Sequence, residues 1–123
     1  DFPFECYGHP QYKGAEFSFT SQSRSGAKNP PLLGQKCWGV DLRGVDDEKI
    51  IAQGFNLEYV IDAYRNLDMG EKFFTRMFLL LTGVDYIKEM IMAGNTAEEI
   101  RARWKEDVEQ FKLLRRKYLL YEE

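Results

Sequence analysis

The chain has one histidine, two cysteines and four prolines in 123 residues. Each scarcity excludes something. Cys6 and Cys37 stand far apart, and with His9 alone they make no set with zinc spacing, so no metal site is expected. The two cysteines are compatible with a disulfide in an oxidising compartment, or with two free thiols of the kind commonly buried in cores. Any Ser-His-Asp or Cys-His arrangement would have to run through His9. That residue sits in Gly8-His9-Pro10, where a turn role is the simpler reading, although its ring nitrogens could still bond a ligand. The chain also lacks a G-x-S-x-G elbow, a phosphate loop and a dinucleotide fingerprint, so no nucleotide cofactor is implied. Its longest apolar run, Met77–Leu81, is far short of the ~20 residues a membrane span needs. Charge is unremarkable too: 17 basic against 20 acidic groups, evenly spread, give −3. Without a clustered basic face the chain is a poor nucleic-acid binder.

What is present is a globular composition. Hydrophobic residues make up 44% and aromatics 15%, enough large side chains for one domain with a real core. The chain opens at Asp1 directly into Phe2-Pro3-Phe4, which reads as the interior of a longer polypeptide.

The first third reads as strands and loops. Phe17 and Phe19 alternate with Ser18 and Thr20. Residues 21–36 are rich in Ser, Gly, Pro and Lys, and Asn29-Pro30-Pro31 cannot be helix interior, so an ordered loop is expected. Trp38 to Val45 is the best strand, with Trp38, Val40 and Leu42 on one face and Asp41 and Arg43 on the other. Asp46-Asp47-Glu48 then starts a short helical turn that Gly54 ends.

The remainder is mostly helical. Asn56 precedes Leu57, Val60, Ile61 and Tyr64, which share one helical stripe. Phe73 to Leu81 is dense enough for a short buried helix, broken by Thr82-Gly83. Val84, Ile87 and Ile91 point inward from the next helix, which ends at Gly94. Thr96-Ala97-Glu98-Glu99 is a capping box. It opens a long helix whose Ile100, Trp104, Val108, Phe111 and Leu114 form a core stripe. Tyr118 to Tyr121 reads as a closing strand or a tail docked by its aromatics. The expectation is an α+β domain: a small, mostly antiparallel sheet from the first third and the tail, packed against three to four helices.

Chemistry is sparse. Asp46-Asp47 and Glu98-Glu99 read as helix caps rather than a catalytic carboxylate pair. Glu5 lies between Phe4 and Cys6, where desolvation would raise its pKa, or at an edge facing water. A small free-standing enzyme using Glu5 with Asp41 or Asp46 is the weakest reading. Tyr7, Tyr12, Phe17, Phe19 and Trp38 are mostly core material, with some able to stack on a sugar. Arg24 and Lys28, in the long loop, could hold an anion.

Four segments resemble a known pattern: Pro3-Phe4-Glu5 with Gly8 and Pro10; Gly34 to Val40, as G-x-x-C-x-G-V; Leu81-Thr82-Gly83-Val84-Asp85 with Gly94; and Trp104, Phe111, Arg115 and Tyr118-Leu119-Leu120-Tyr121. Together, over nearly the whole chain, they resemble the C-terminal part of the NamZ-type exo-β-N-acetylmuramidases, a bacterial family long known only as a domain of unknown function. His9 and Gln11 stand where that pattern has a small residue and an aromatic. The resemblance implies a longer protein with a Rossmann-like N-terminal domain carrying the catalytic carboxylates, and this chain as a C-terminal auxiliary domain, inactive alone. It implies release of N-acetylmuramic acid from the non-reducing ends of peptidoglycan fragments, hence a periplasmic or extracellular setting. On this reading the muramyl sugar is contacted from Glu5, Tyr7, His9, Thr20, Arg24 and Lys28. Arg24 or Lys28 would meet the lactyl acid, Glu5 and His9 would make polar contacts, and Tyr7 would stack. The alternative is a structural module that packs on the N-terminal domain or on itself without touching ligand.

Overall fold

A computed structural model of the chain describes residues 4–121. Phe2 and Pro3, part of the apolar opening and of the first family-like segment, lie outside the described residues. The fold is α+β and divides into two compact units, Asp1–Phe73 and Phe74–Glu123. No helix among the described residues is long and apolar enough to cross a membrane.

The first unit is built on a three-stranded, wholly antiparallel sheet. Its strands are β1 (Cys6–His9), β2 (Phe17–Thr20) and β3 (Lys36–Asp41), in the order β1-β3-β2. β3 begins and ends earlier than Trp38–Val45. It begins earlier because Lys36 pairs with Thr20. It ends at Asp41 because that carboxylate accepts from the Arg43 backbone N–H at 3.1 Å and from its guanidinium at 2.8 and 2.6 Å, an Asx-type turn that bends the chain out of the sheet. The alternation is as expected, with Trp38 and Val40 on one side of β3, but the burial lies on the opposite side. The fully buried positions of β3 are Cys37 and Gly39, with Trp38 and Val40 half-buried on the other side.

Register explains this. Gly8 lies opposite Gly39, and Phe17 and Phe19 share their face. A Cβ on Gly39 would stand 1.9 Å from the Tyr7 carbonyl oxygen, and one on Gly8 2.3 Å from that of Trp38, so the two strands approach as only glycines allow. Cys6 and Cys37 are both free. Cys6 pairs with Asp41, four residues along β3 from Cys37, an offset of about 13 Å where a disulfide needs Cα atoms within ~7 Å. Burial raises both thiol pKa values.

The 21–35 segment is an ordered loop joining β2 to β3. The Gly34 N–H donates to the Ser21 carbonyl at 2.8 Å across its neck, and Arg24 and Ala27 exchange backbone bonds at its tip. Helix α1 (Asp47–Gln53) is capped by Asp46, which accepts from the Glu48 N–H, and closed by Gly54. Helix α2 (Glu58–Leu67) follows, with Asn56 accepting from the Glu58 N–H at 2.8 Å. Leu57 and Ile61 are its buried anchors; with Tyr12 and Cys37 they make the buried hydrophobic core of this unit. The helix ends at Asp68, held left-handed at φ 51, a conformation Asp tolerates better than most residues.

The second unit contains α3 (Arg76–Thr82), α4 (Tyr86–Met92) and α5 (Ala97–Arg115). Its buried residues are Ile87, Ile91 and Ile100. The capping box is present: Thr96 Oγ1 accepts from the Glu99 N–H at 3.2 Å, and the Glu99 carboxylate accepts from the Thr96 N–H at 2.8 Å. The Arg103 guanidinium lies 4.7 Å over the Tyr86 ring, tying α5 to α4.

The α+β expectation holds: five α-helices accompany the sheet among the described residues, the short α1 turn included. Three other expectations need correction. Helix α3 has no buried residue: Met77, Leu80 and Leu81 are exposed, because five consecutive apolar residues point all round a helix and only one side meets a partner. That side holds Phe78, whose ring is 4.9 Å from Phe74. The tail adds no strand. Arg116–Tyr118 is a 3-10 turn continuing α5, and Leu120 and Tyr121 are exposed rather than docked. The α5 stripe has its expected spacing, but only Ile100 is buried and Trp104 half-buried; Val108, Phe111 and Leu114 are exposed.

Candidate functional site

Residues directly opposite each other in an antiparallel pair project to the same side of the sheet. The register therefore gathers Tyr7 and His9 of β1, Ser18 and Thr20 of β2, and Lys36, Trp38 and Val40 of β3 on one face. Three of the six sequence-nominated residues, Tyr7, His9 and Thr20, share that face. His9, Trp38 and Ser18 form one row across all three strands. The Lys36 ammonium sits 4.2 Å from the Trp38 ring centroid, a cation–π contact that puts a positive charge on the aromatic surface.

His9 is a turn residue with a polar edge. Its carbonyl accepts from the Tyr12 N–H at 3.1 Å, and its Nδ1 accepts from the Gln11 N–H at 3.2 Å. In the neutral ring this bond places the proton on Nε2, which is left to donate outward.

The other nominees lie elsewhere. Glu5 is exposed, and its carbonyl accepts from the Leu42 N–H at 2.8 Å, so of its two readings the edge facing water is the one the structure bears out. Leu42 is six residues from Lys36, the partner of Thr20, which separates Glu5 from the Thr20 end by about 20 Å of strand. Arg24 and Lys28 are exposed on the 21–35 loop, which leaves the sheet at the Thr20–Lys36 end. The structure thus brings His9 and Thr20 toward one end of one face, has the loop that carries Arg24 and Lys28 leave the sheet at that end, and sets Glu5 at the other.

Tyr7 is engaged in a cluster that sequence reasoning missed. Its hydroxyl donates to Asp62 Oδ2 of α2 at 2.8 Å, and the Tyr12 hydroxyl donates to the same oxygen. Asn66, one helical turn on, donates through Nδ2 to Asp62 Oδ1 and to the Asp62 carbonyl, each at 2.9 Å, and to the Tyr12 hydroxyl at 3.3 Å. The Tyr7 ring packs against Tyr12 and Tyr59, with centroids 6.3 and 6.0 Å away. Burial first, then the bond to the Asp62 carboxylate, pushes the Tyr12 phenol up to about 12 and raises Tyr7 well above the ordinary phenol value. Both tyrosines are therefore locked as donors at neutral pH. The cluster fastens β1 and the turn after it onto α2, aided by the Lys13 N–H donating to the Asn66 carbonyl at 3.2 Å. The only sequence signal for it is the i, i+4 spacing of Asp62 and Asn66 on α2.

Among the described residues no group of three or more His, Cys, Asp or Glu side chains is placed to hold a metal ion. Among the described residues, the carboxylate with a strongly perturbed pKa is Asp41, and its partner is a cation: the bidentate Arg43 guanidinium holds it down at about 2. It is an ion-paired turn residue, ionised at neutral pH and without the raised pKa of a general acid.

The first unit thus presents a small antiparallel sheet with one polar-aromatic face, beside helices α1 and α2. Comparisons with known proteins give the family. Residues 1–121 match the family described as exo-β-N-acetylmuramidase NamZ, C-terminal. The chain belongs to that family. It is also similar to a solved structure, a DUF1343 family protein from Bacteroides fragilis, with 53% identity and a TM-score of 0.92 over 98% of this chain. The chain spans 34% of that protein's length. The search of curated proteins gave no match.

Proposed function

We propose that the chain forms one wall of the substrate cleft in a peptidoglycan-fragment glycoside hydrolase, with the catalytic groups on a Rossmann-like N-terminal domain of the same polypeptide. The substrate end would be a non-reducing N-acetylmuramic acid, and the setting periplasmic or extracellular, where such fragments are found. The observation that carries this reading is the family match over residues 1–121. The sheet face supports it chemically. Trp38 offers a flat apolar surface to a pyranose ring, Nε2 of His9 and the Thr20 hydroxyl offer hydrogen bonds to its substituents, and Lys36, Arg24 and Lys28 offer charge to the lactyl carboxylate. Tyr7 drops out as a stacking surface, because its ring and hydroxyl are engaged by Tyr12, Tyr59 and Asp62. Its role is to hold β1, and with it His9, against α2.

The test is an amide-resolved titration with N-acetylmuramic acid, using N-acetylglucosamine as the control that lacks the lactyl acid. Shifts at His9, Thr20, Lys36 and Trp38 with the muramyl sugar alone are expected. Their absence in both this chain and the intact polypeptide overturns the cleft-wall role. Hydrolysis of a muramyl glycoside by this chain alone overturns the division of labour. A second reading, a purely structural module, is favoured by the exposed Met77, Leu80 and Leu81 of α3. It predicts no sugar-dependent shift in either sample.

A further inference from the structure

The second unit carries an apolar stripe that outruns its own cover. At 100° per residue, Ile100, Trp104, Val108, Phe111 and Arg115 of α5 fall within a stripe roughly 80° wide. Its apolar members are covered less and less toward the C-terminus, although Arg115 among them is half-buried. Ile100 is 0% exposed, Trp104 half-buried, Val108 42% and Phe111 58% exposed, and Tyr118 in the following 3-10 turn 69% exposed. Leu114 flanks the stripe and is exposed as well. The span from Val108 to Tyr118, in which the apolar members are exposed, is about 15 Å long. Single exposed apolar side chains need no explanation, but a row continuing a core stripe marks an interaction surface.

We infer that this C-terminal half of α5, with Tyr118, is the seat of the N-terminal domain of the same polypeptide. Three observations choose that occupant. The matched family is the C-terminal portion of a larger protein. The solved relative is about three times as long as this chain, leaving a domain-sized remainder to be packed somewhere. The stripe is bordered by charges of both signs, Arg103 with Asp107 and Lys112 with Glu109, which suits the mixed rim of a protein interface and not an anionic lipid surface. The inference rests on the reading that the chain works joined to an N-terminal domain, and it is independent of any sugar site on the sheet.

Hydrogen exchange tests it, comparing the intact polypeptide with this chain alone. Amides of residues 106–118 should exchange at least tenfold more slowly in the intact polypeptide, while those around Ile100 stay unchanged. Equal exchange of 106–118 in the two overturns the proposal. The double substitution Phe111→Ser, Tyr118→Ser gives a second readout. It should lower the melting temperature of the intact polypeptide by several degrees and leave that of this chain within one degree. An equal loss in both means the stripe is covered within the chain and refutes the assignment. Protection that appears in this chain alone as its concentration rises, with a doubled mass, makes a second copy the occupant and also refutes it. Neither experiment involves a sugar, so a failed titration and a failed docking surface are separate results.

Discussion

Asp62→Ala should be among the most damaging single substitutions in the first unit, although Asp62 is not fully buried. Its Oδ2 accepts from two tyrosine hydroxyls, Tyr7 at 2.8 Å and Tyr12. A hydrogen bond to a charged group contributes about 1.5–3 kcal/mol net. Tyr7 is half-buried and can be partly resolvated, so its loss belongs at the low end, about 1.5 kcal/mol. Tyr12 is only 8% exposed, and its loss is about 2 kcal/mol, eased a little because Asn66 still donates to it. The sum, about 3–4 kcal/mol, is a large part of the ~5–15 kcal/mol that holds a domain of this size. Asp62→Asn should cost about half as much, since its amide can turn its NH2 toward the two hydroxyls and keep its oxygen for Asn66. The assay is urea denaturation followed by near-UV circular dichroism, which reports the packed tyrosines. A double-mutant cycle isolates the pair: Tyr12→Phe should cost about 2 kcal/mol in the parent and close to nothing beside Asp62→Ala, a coupling of about 1.5–2 kcal/mol. A cost below about 0.5 kcal/mol for Asp62→Ala, or additivity within that margin, would show that water replaces the cluster without loss and would refute the reasoning.

Gly39→Ala should prevent normal pairing of β1 with β3. Its Cβ would meet backbone on all sides, the Tyr7 carbonyl oxygen at 1.9 Å and Gly8 Cα at 2.6 Å, so the cost should reach or exceed the usual 1–3 kcal/mol of overpacking, read as lost soluble protein or a lower denaturation midpoint. Absorbance at 295 nm during alkaline titration should show Tyr7 and Tyr12 ionising above the ordinary phenol value. Because both phenol values are raised by folding, their stabilisation is complete below pH 10 and is lost as pH climbs through about 12 for Tyr12. Asp41 has the opposite sign: its carboxylate is held down to about 2 against an ordinary 3.8, so its contribution is present above pH 4 and fades toward pH 2, and Arg43→Ala should weaken that acid dependence, leaving only the part held by the backbone N–H of residue 43. Thr96→Ala, removing the capping-box acceptor, should cost about 1 kcal/mol of stability, measured by denaturation of the whole chain.

Much of the fold was legible because it follows from short-range chemistry. Asp46 and Gly54 bracket α1, Thr96 with Glu99 opens α5, and Thr82-Gly83 closes α3, each through bonds to backbone groups within four residues. The strand around Trp38 was visible for the same reason, and so was the face that Trp38 and Val40 share, but not which face is the buried one. Trp38 and Val40 are the larger side chains, yet Cys37 and Gly39 are the buried ones, because Gly8 and Gly39 let two strands and the Phe17–Phe19 pair close down on that side. A glycine leaves no mark in a hydrophobicity pattern. The Asp62 cluster was illegible for a related reason: it joins residues 50 to 55 positions apart, and nothing local distinguishes a carboxylate that two tyrosines reach from one that water reaches.

The helical half shows where periodicity stops being informative. Apolar spacing reports which side chains share a face. It does not report what covers that face. The stripe from Ile100 to Phe111 has one unbroken period, yet its first member is sealed inside this chain and its last is mostly open. The same holds for Met77 to Leu81, whose composition alone reads as core. In a chain that spans a third of its solved relative's length, a face shaped to meet another domain is written in the same residues, at the same spacing, as a face shaped to meet its own. The burial gradient along α5 is therefore the more informative quantity. It marks where the buried core of the second unit ends and the proposed docking surface begins.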